Sequence, residues 1–449
     1  MPLPQFPDCC TTVGAPREWA RSDASAWANP EARVLLRSAR RERARVRNLR
    51  ALMPAAFAGV YAAVPLFPAF ISLTSVAYPG VSLVPAAVVY GVLAFVVLLA
   101  LYAIATLIAN PARGEQPLLM PMLAWFGASM LSSLLGFDPL AGVLFVGIFG
   151  LGIAWHCSLL RFFGDRNVAP AIFWSYLVSG TLAALAAIAM VATHRPAALY
   201  AISHGRATGT FILPGELAAY LVVFVPIAYA IARVARRPAL RVLGWVAVAV
   251  GLVTLYQTHS RAGWMGFAAA AAFLVIVQMP RRRSGLLAAT AVVIGGLIAV
   301  SLAFNVQHNP SEDYTRIAIW KAAEQIIDRF PLTGVGPFDF ARLYAIVHVP
   351  DADATAFHAH SLYLTFFAEL GIVGLGAFLW NAWALAANLR LRLREAPPAS
   401  ALLALAAAAG LTGVAVQGLI DTMSVVIFGL WMPTMGFALA AAAGSWERP

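Results

Sequence analysis

The sequence predicts an all-α integral membrane protein of about 12 transmembrane helices, with a long external loop between the ninth and the tenth. Three observations lead there. Of 449 residues, 61% are hydrophobic and only 11% are charged, against about 25% charged in a soluble domain. Apolar runs of roughly 20 residues, each enough to cross a bilayer core, recur along the chain. The basic residues cluster in alternate loops between those runs. A β-barrel is excluded, because its strands alternate apolar and polar residues in short segments. The net charge of +11 would suit a nucleic-acid partner, but its placement in membrane loops argues against one.

Residues 1–50 form a basic extension ending in "RSARRERARVRNLR". It lacks the short apolar region and small-residue cleavage site of a signal peptide. It reads as a cytoplasmic segment lying against anionic membrane lipids, with a regulatory tail as the alternative. Spans one to nine fill residues 51–305, near 51–75, 81–108, 117–137, 139–160, 169–192, 217–232, 242–258, 262–280 and 285–305. Residues 306–360 form the external loop. Residues 361–449 hold the last three spans, near 361–388, 400–420 and 424–444, and a short tail.

With the N-terminus inside, the alternate loops hold Arg113, Arg161 and Arg166, Arg233 to Arg241, Arg281 to Arg283, Arg390 to Arg394 and Arg448. That is the arrangement the positive-inside rule favours, with both termini cytoplasmic. The remainder is informative. Arg195, Arg206, Arg261, Arg316, Lys321, Arg329 and Arg342 fall outside, as do the histidines other than His156. Topology does not require external cations, and an anionic ligand is the simplest reason for them.

The long loop contains "DYTRIAIWKAAEQIIDRFPLTGVGPFDF". Apolar residues at Ile317, Trp320, Ala323, Ile326 and Ile327 describe an amphipathic helix on the membrane surface, with Arg316 and Lys321 on its polar face. Gly334 and Gly336 then support a turn. Arg261 lies at a short external junction, where it either snorkels or pairs. Arg206 precedes a span and is either a ligand-binding group or an ordinary loop cation. Guanidinium groups grip phosphate oxygens bidentately, so several at one surface suit a diphosphate. They would stabilise its charge as a bond to it breaks, without a metal.

His358 and His360 open the tenth span. Either His360 takes a proton from an attacking hydroxyl, or both histidines mark the water interface. Gly371 and Gly374 share a helix face and permit close packing. Glu369 lies within the span, where a carboxylate is functional or a structural hydrogen-bonding group. The cysteines suggest no disulfide framework: Cys9 and Cys10 are adjacent in the polar extension and Cys157 sits in an apolar run. A metal at Cys9–Cys10, or a cation at the "DAD" of 351–353, is the weaker reading of each, so no metal and no cofactor are expected.

These residues resemble the O-antigen ligase family. "His360-Ser361, nine residues, Gly371-x-x-Gly374" resembles the family's histidine motif, and "SRAGWMGF" its arginine motif after a span. "RIAIWKAAEQIIDRFPLTGVGPFDF" resembles the segment before the histidine, and "GTFILPGELAAYL" the opening of an earlier span. The likeness covers about 205–444 in order. It implies an inverting, metal-independent glycosyltransferase with a GT-C-like fold, working in the periplasm on undecaprenyl-diphosphate-linked glycans at the bacterial inner membrane. By match, His360 would be the general base and Arg261 and Arg316 would hold the diphosphate. Arg206 matches less closely, and Lys321 is added from its position. Apart from the match, His358, Glu369, Gly371 and Gly374 are candidate supporting residues. Leu375, where Thr is common, and Gly215, where Asn is expected after Pro214, depart from the ligase pattern. Three acceptors fit the superfamily: the lipid A core of a ligase, the growing glycan of a polymerase, or a protein. The ligase is preferred. A transporter of the lipid-linked glycan is the rival of a different class, but transporters place polar groups near the midplane, and here they gather at one interface.

Overall fold

The computed structural model describes residues 53–62, 65, 116–165, 167–211, 213–279, 282–304, 310–348, 356, 358–421 and 426–444. Among them every regular element is a helix. In chain order they are α1 (Met53–Ala62), α2 (Leu119–Leu135), α3 (Pro139–Phe162), α4 (Val168–Thr193), α5 (Ala197–Ile202), α6 (Pro214–Val234) and α7 (Pro238–Gln257). There follow α8 (Arg261–Gln278), α9 (Arg282–Phe304), α10 (Pro310–Arg329), α11 (Phe340–Val347), α12 (Leu362–Arg392), α13 (Pro398–Gln417) and α14 (Val426–Ala442).

Six of these helices, α4, α6, α7, α8, α12 and α13, are long and apolar enough to cross a membrane. The span predicted near 81–108, most of the one near 51–75, the basic extension with Cys9 and Cys10, and "DAD" at 351–353 lie outside the described residues. The chain is therefore an α-helical membrane protein whose full span count stays with the sequence expectation.

α6 is the axis of the bundle. Proline at its first position suits a helix start, and most of its length is buried among α4, α7, α8, α13 and α14. Small residues let backbones meet there. A Cβ on Gly266 of α8 would lie 2.6 Å from the carbonyl oxygen of Gly413 in α13, and one on Gly413 would lie 2.5 Å from that of Gly266. Gly410 of α13 likewise faces the Val223 backbone of α6, with 2.8 Å for an added Cβ. Larger residues at these points would push apart the helices whose ends build the cavity described below.

A second apolar cluster lies under α10 and α11. Ile319, Ala322, Ala323 and Ile326 pack with Phe340, Leu343 and Tyr344, and with Ala359 and Ala368 beside and within α12. The buried face of α10 thus differs in phase from the predicted one. Ile317 is exposed and Trp320 is half-buried, because the partner of this helix is α12 and α11.

Candidate functional site

Helix ends make the site. α6, α8 and α12 start at one end of the bundle, where α7 and α13 finish. Ser260 caps α8, its hydroxyl accepting the Gly263 N–H at 3.1 Å, which fixes Arg261 as the first helical residue. The Ala207 N–H donates to the carbonyl of Gln257 at 2.9 Å, tying the loop before α6 to the end of α7. In that loop Arg206 donates from Nε to the Thr258 carbonyl at 2.9 Å and from Nη2 to that of His259 at 3.4 Å. The start of α12 is tied to the end of α13: Leu362 N–H donates to the Gly418 carbonyl at 2.7 Å and the Tyr363 hydroxyl to that of Ala415 at 2.9 Å.

Among these ties lies an open cavity of about 150 Å³. Arg206, Arg261, Arg316 and His360 all line it, with Gly215, Glu216, His259 and Asp421. Four of the predicted site residues, from four separate chain segments, therefore share one space. Lys321 does not. It is exposed on the far side of α10 from the buried face and does not line the cavity. Five residues after Arg316, the helix has turned about 140°, so no single face presents both.

His360 takes a left-handed backbone, φ 46, a region His tolerates better than most residues. Buried His358 supports it. The backbone N–H of His360 donates to His358 Nδ1 at 3.3 Å, and the two rings meet edge-on at 4.6 Å between centroids. That bond needs an unprotonated Nδ1. Burial, then the neighbouring His360, lowers the His358 pKa to about 3 against a weaker opposing pull from Asp421, so His358 is neutral. It does not line the cavity.

Asp421 is the residue the sequence reading missed. Its Oδ1 lies 3.8 Å from His360 Nδ1. Burial pushes its carboxyl up, but His360, His358 and Arg316 together hold it below the usual carboxylate range. The departure at Gly215 has its counterpart here: a Cβ on residue 215 would collide with Asp421 Oδ2. The only signal for Asp421 was a lone acid in the short turn "GLIDTMSV" between two predicted spans. His259, also at φ 48, is a second addition. Burial first, and Arg206 second, lower its pKa below the ordinary value, so at neutral pH it lines the cavity uncharged. Glu216 is buried at the first turn of α6.

The glycine pair is also corrected. Gly371 is not on a packing face. It sits at φ 64 in a broken turn, where an added Cβ would strike the Leu332 backbone. At Gly374 an added Cβ meets Leu370 of the same helix. Spacing by three mimics a packing motif, but here it accommodates a loop. Glu369, likewise away from the cavity, is buried at that same break.

Fold and site together define a helical membrane protein with an open, arginine-lined cavity among helix ends that also holds a histidine–carboxylate pair. Residues 246–379 match the family model described as O-antigen ligase, and the match supports membership of the O-antigen ligase family. It spans Arg261, Arg316 and His360, while Arg206 and Asp421 lie outside it. It supports a ligase- or polymerase-type function in polysaccharide processing. No curated protein matches the chain.

Proposed function

We propose that the protein is an inverting, metal-independent glycosyltransferase at the periplasmic face of the inner membrane. It moves an undecaprenyl-diphosphate-linked O-antigen glycan onto a sugar hydroxyl of the lipid A core. The observation that carries this reading is the convergence of Arg206, Arg261 and Arg316 with His360 around one cavity. The diphosphate sits among the three guanidinium groups and near the starts of α6 and α8, whose amide ends favour anions. The acceptor hydroxyl enters beside His360.

The hydroxyl oxygen attacks the anomeric carbon as the bond from that carbon to the diphosphate oxygen breaks. The bonding pair leaves with undecaprenyl diphosphate, and the hydroxyl proton passes to His360. The arginines stabilise charge growing on the leaving group. Asp421, 3.8 Å from Nδ1, orients the ring and offsets the imidazolium charge that develops. Holding both substrates in one cavity supplies acceleration through orientation.

The test is transfer by purified protein in lipid. His360→Ala abolishes transfer while still binding the donor, and Arg261→Ala or Arg316→Ala raises the donor KM. Transfer at the normal rate by His360→Ala removes the general-base role. Donor carried intact across liposomes without release of undecaprenyl diphosphate replaces the enzyme with a transporter.

A further inference from the structure

α12 does not run unbroken below His360. At Gly371 the backbone reaches φ 64 and ψ −173, and the turn opens. A broken turn leaves carbonyls on one side and amides on the other, and buried backbone groups need partners. The Pro331–Gly336 loop after α10 supplies them. Val335 and Gly336 N–H groups donate to the carbonyls of Ala368 and Glu369, each at 3.0 Å. Ile372 and Val373 donate to those of Pro331 and Leu332 at 2.9 and 3.4 Å. The fit is close on both sides, since a Cβ on Gly334 would strike the Glu369 backbone and one on Gly371 that of Leu332.

Two side chains complete the joint. The Ser132 hydroxyl of α2 donates to the Glu369 carbonyl at 2.6 Å. The Glu369 carboxyl group accepts backbone hydrogen bonds from Phe338 and Phe340, at the entry to α11. The joint therefore fastens α10 and α11 to α12. α10 carries Arg316 and runs straight into the loop, and α12 begins two residues after His360. The apolar cluster of Ile319, Ala323 and Ala368 spans the same two helices.

We propose that this broken turn is a positioning device: Ser132 and Glu369 hold the loop against α12 and thereby set the placement of Arg316 relative to His360. Neither residue lines the cavity, so both are positioning residues. What Arg316 does there rests on the diphosphate reading above; the placement does not.

Two measurements on the full chain test it, using Ser132→Ala and Glu369→Gln. The first is binding of inorganic pyrophosphate, with Arg316→Ala as reference. Both variants are expected to weaken binding by roughly tenfold, equivalent to about 1.4 kcal/mol, towards the Arg316→Ala value. The second is the distance distribution between spin labels on Lys321→Cys and Leu419→Cys, both exposed positions, with the native cysteines replaced. It is expected to broaden in both variants. Failure of the wild type to bind pyrophosphate, or wild-type binding by Arg316→Ala, removes the diphosphate reading and leaves the label distances to judge the device. Unchanged distances in the folded variants overturn the device. So does unchanged affinity when Arg316→Ala has lost it. A merely structural role lowers thermal stability while leaving distances and affinity alone.

Discussion

Replacing Asp421 by Asn removes a charge and keeps the shape. In the wild type Oδ1 lies 3.8 Å from His360 Nδ1. Two unit charges near 4 Å attract by about 4 kcal/mol at an effective dielectric of 20 and by about 1 kcal/mol in water. The side chains are 32% and 14% exposed, which places the pair between those limits. Full attraction exists only once His360 has taken the proton, so the loss falls on turnover. The expected outcome for Asp421→Asn is a kcat lower by roughly 10- to 100-fold, equivalent to about 1.4–2.8 kcal/mol. The donor KM should change little, because the guanidinium groups are untouched. Single-turnover transfer from lipid-linked glycan by purified protein measures this, with donor binding measured separately. A wild-type rate, or a loss confined to donor binding, refutes the His360–Asp421 coupling.

Three other predictions follow from the same geometry. His358 has a folded pKa of about 3 against an ordinary 6.5; the unfolded chain binds the extra proton between those values, so stability falls as pH drops from 6.5 towards 3, by about 1.4 kcal/mol per pH unit. Acid titration of thermal unfolding should show this slope, and His358→Gln should flatten it. Gly215→Ala should displace Asp421, whose carboxylate occupies the space of the new methyl group, and lower transfer about as much as Asp421→Asn; an unchanged rate would show that the carboxylate has room to move. Lys321→Ala should leave donor KM and kcat within about twofold of wild type in the same transfer assay, as expected of an exposed cation outside the cavity.

Local properties were legible in the sequence. Apolar runs and loop arginines are read residue by residue, and the six described helices long and apolar enough to cross a membrane fall where those runs lie. The external cations Arg206, Arg261 and Arg316 were also visible as residues that topology does not demand. Their meeting beside His360 could be expected only from the family resemblance, because it depends on contacts such as Gly266 against Gly413, between residues far apart in the chain. Asp421 escaped because a single acid in a turn resembles solvated punctuation until a histidine lies beside it. Lys321 was misplaced by treating two polar residues of one helix as one face, although five positions rotate them well apart. Gly371 and Gly374 were misread for a related reason: spacing by three has the same look in a packed helix as in a broken one, and only φ separates them.

The anchoring of Arg206 carries one more implication. Thr258 and His259 follow the last turn of α7, and the C-terminal end of a helix is its negative pole. Left bare, the carbonyl oxygens of Thr258 and His259 would repel an anion near Arg206. The Arg206 guanidinium covers both oxygens, so it cancels a repulsive feature of the scaffold as well as adding an attractive one. Lysine at that position would bring the same formal charge but a point-like head in place of the planar fork, and so would mask the helix end less completely.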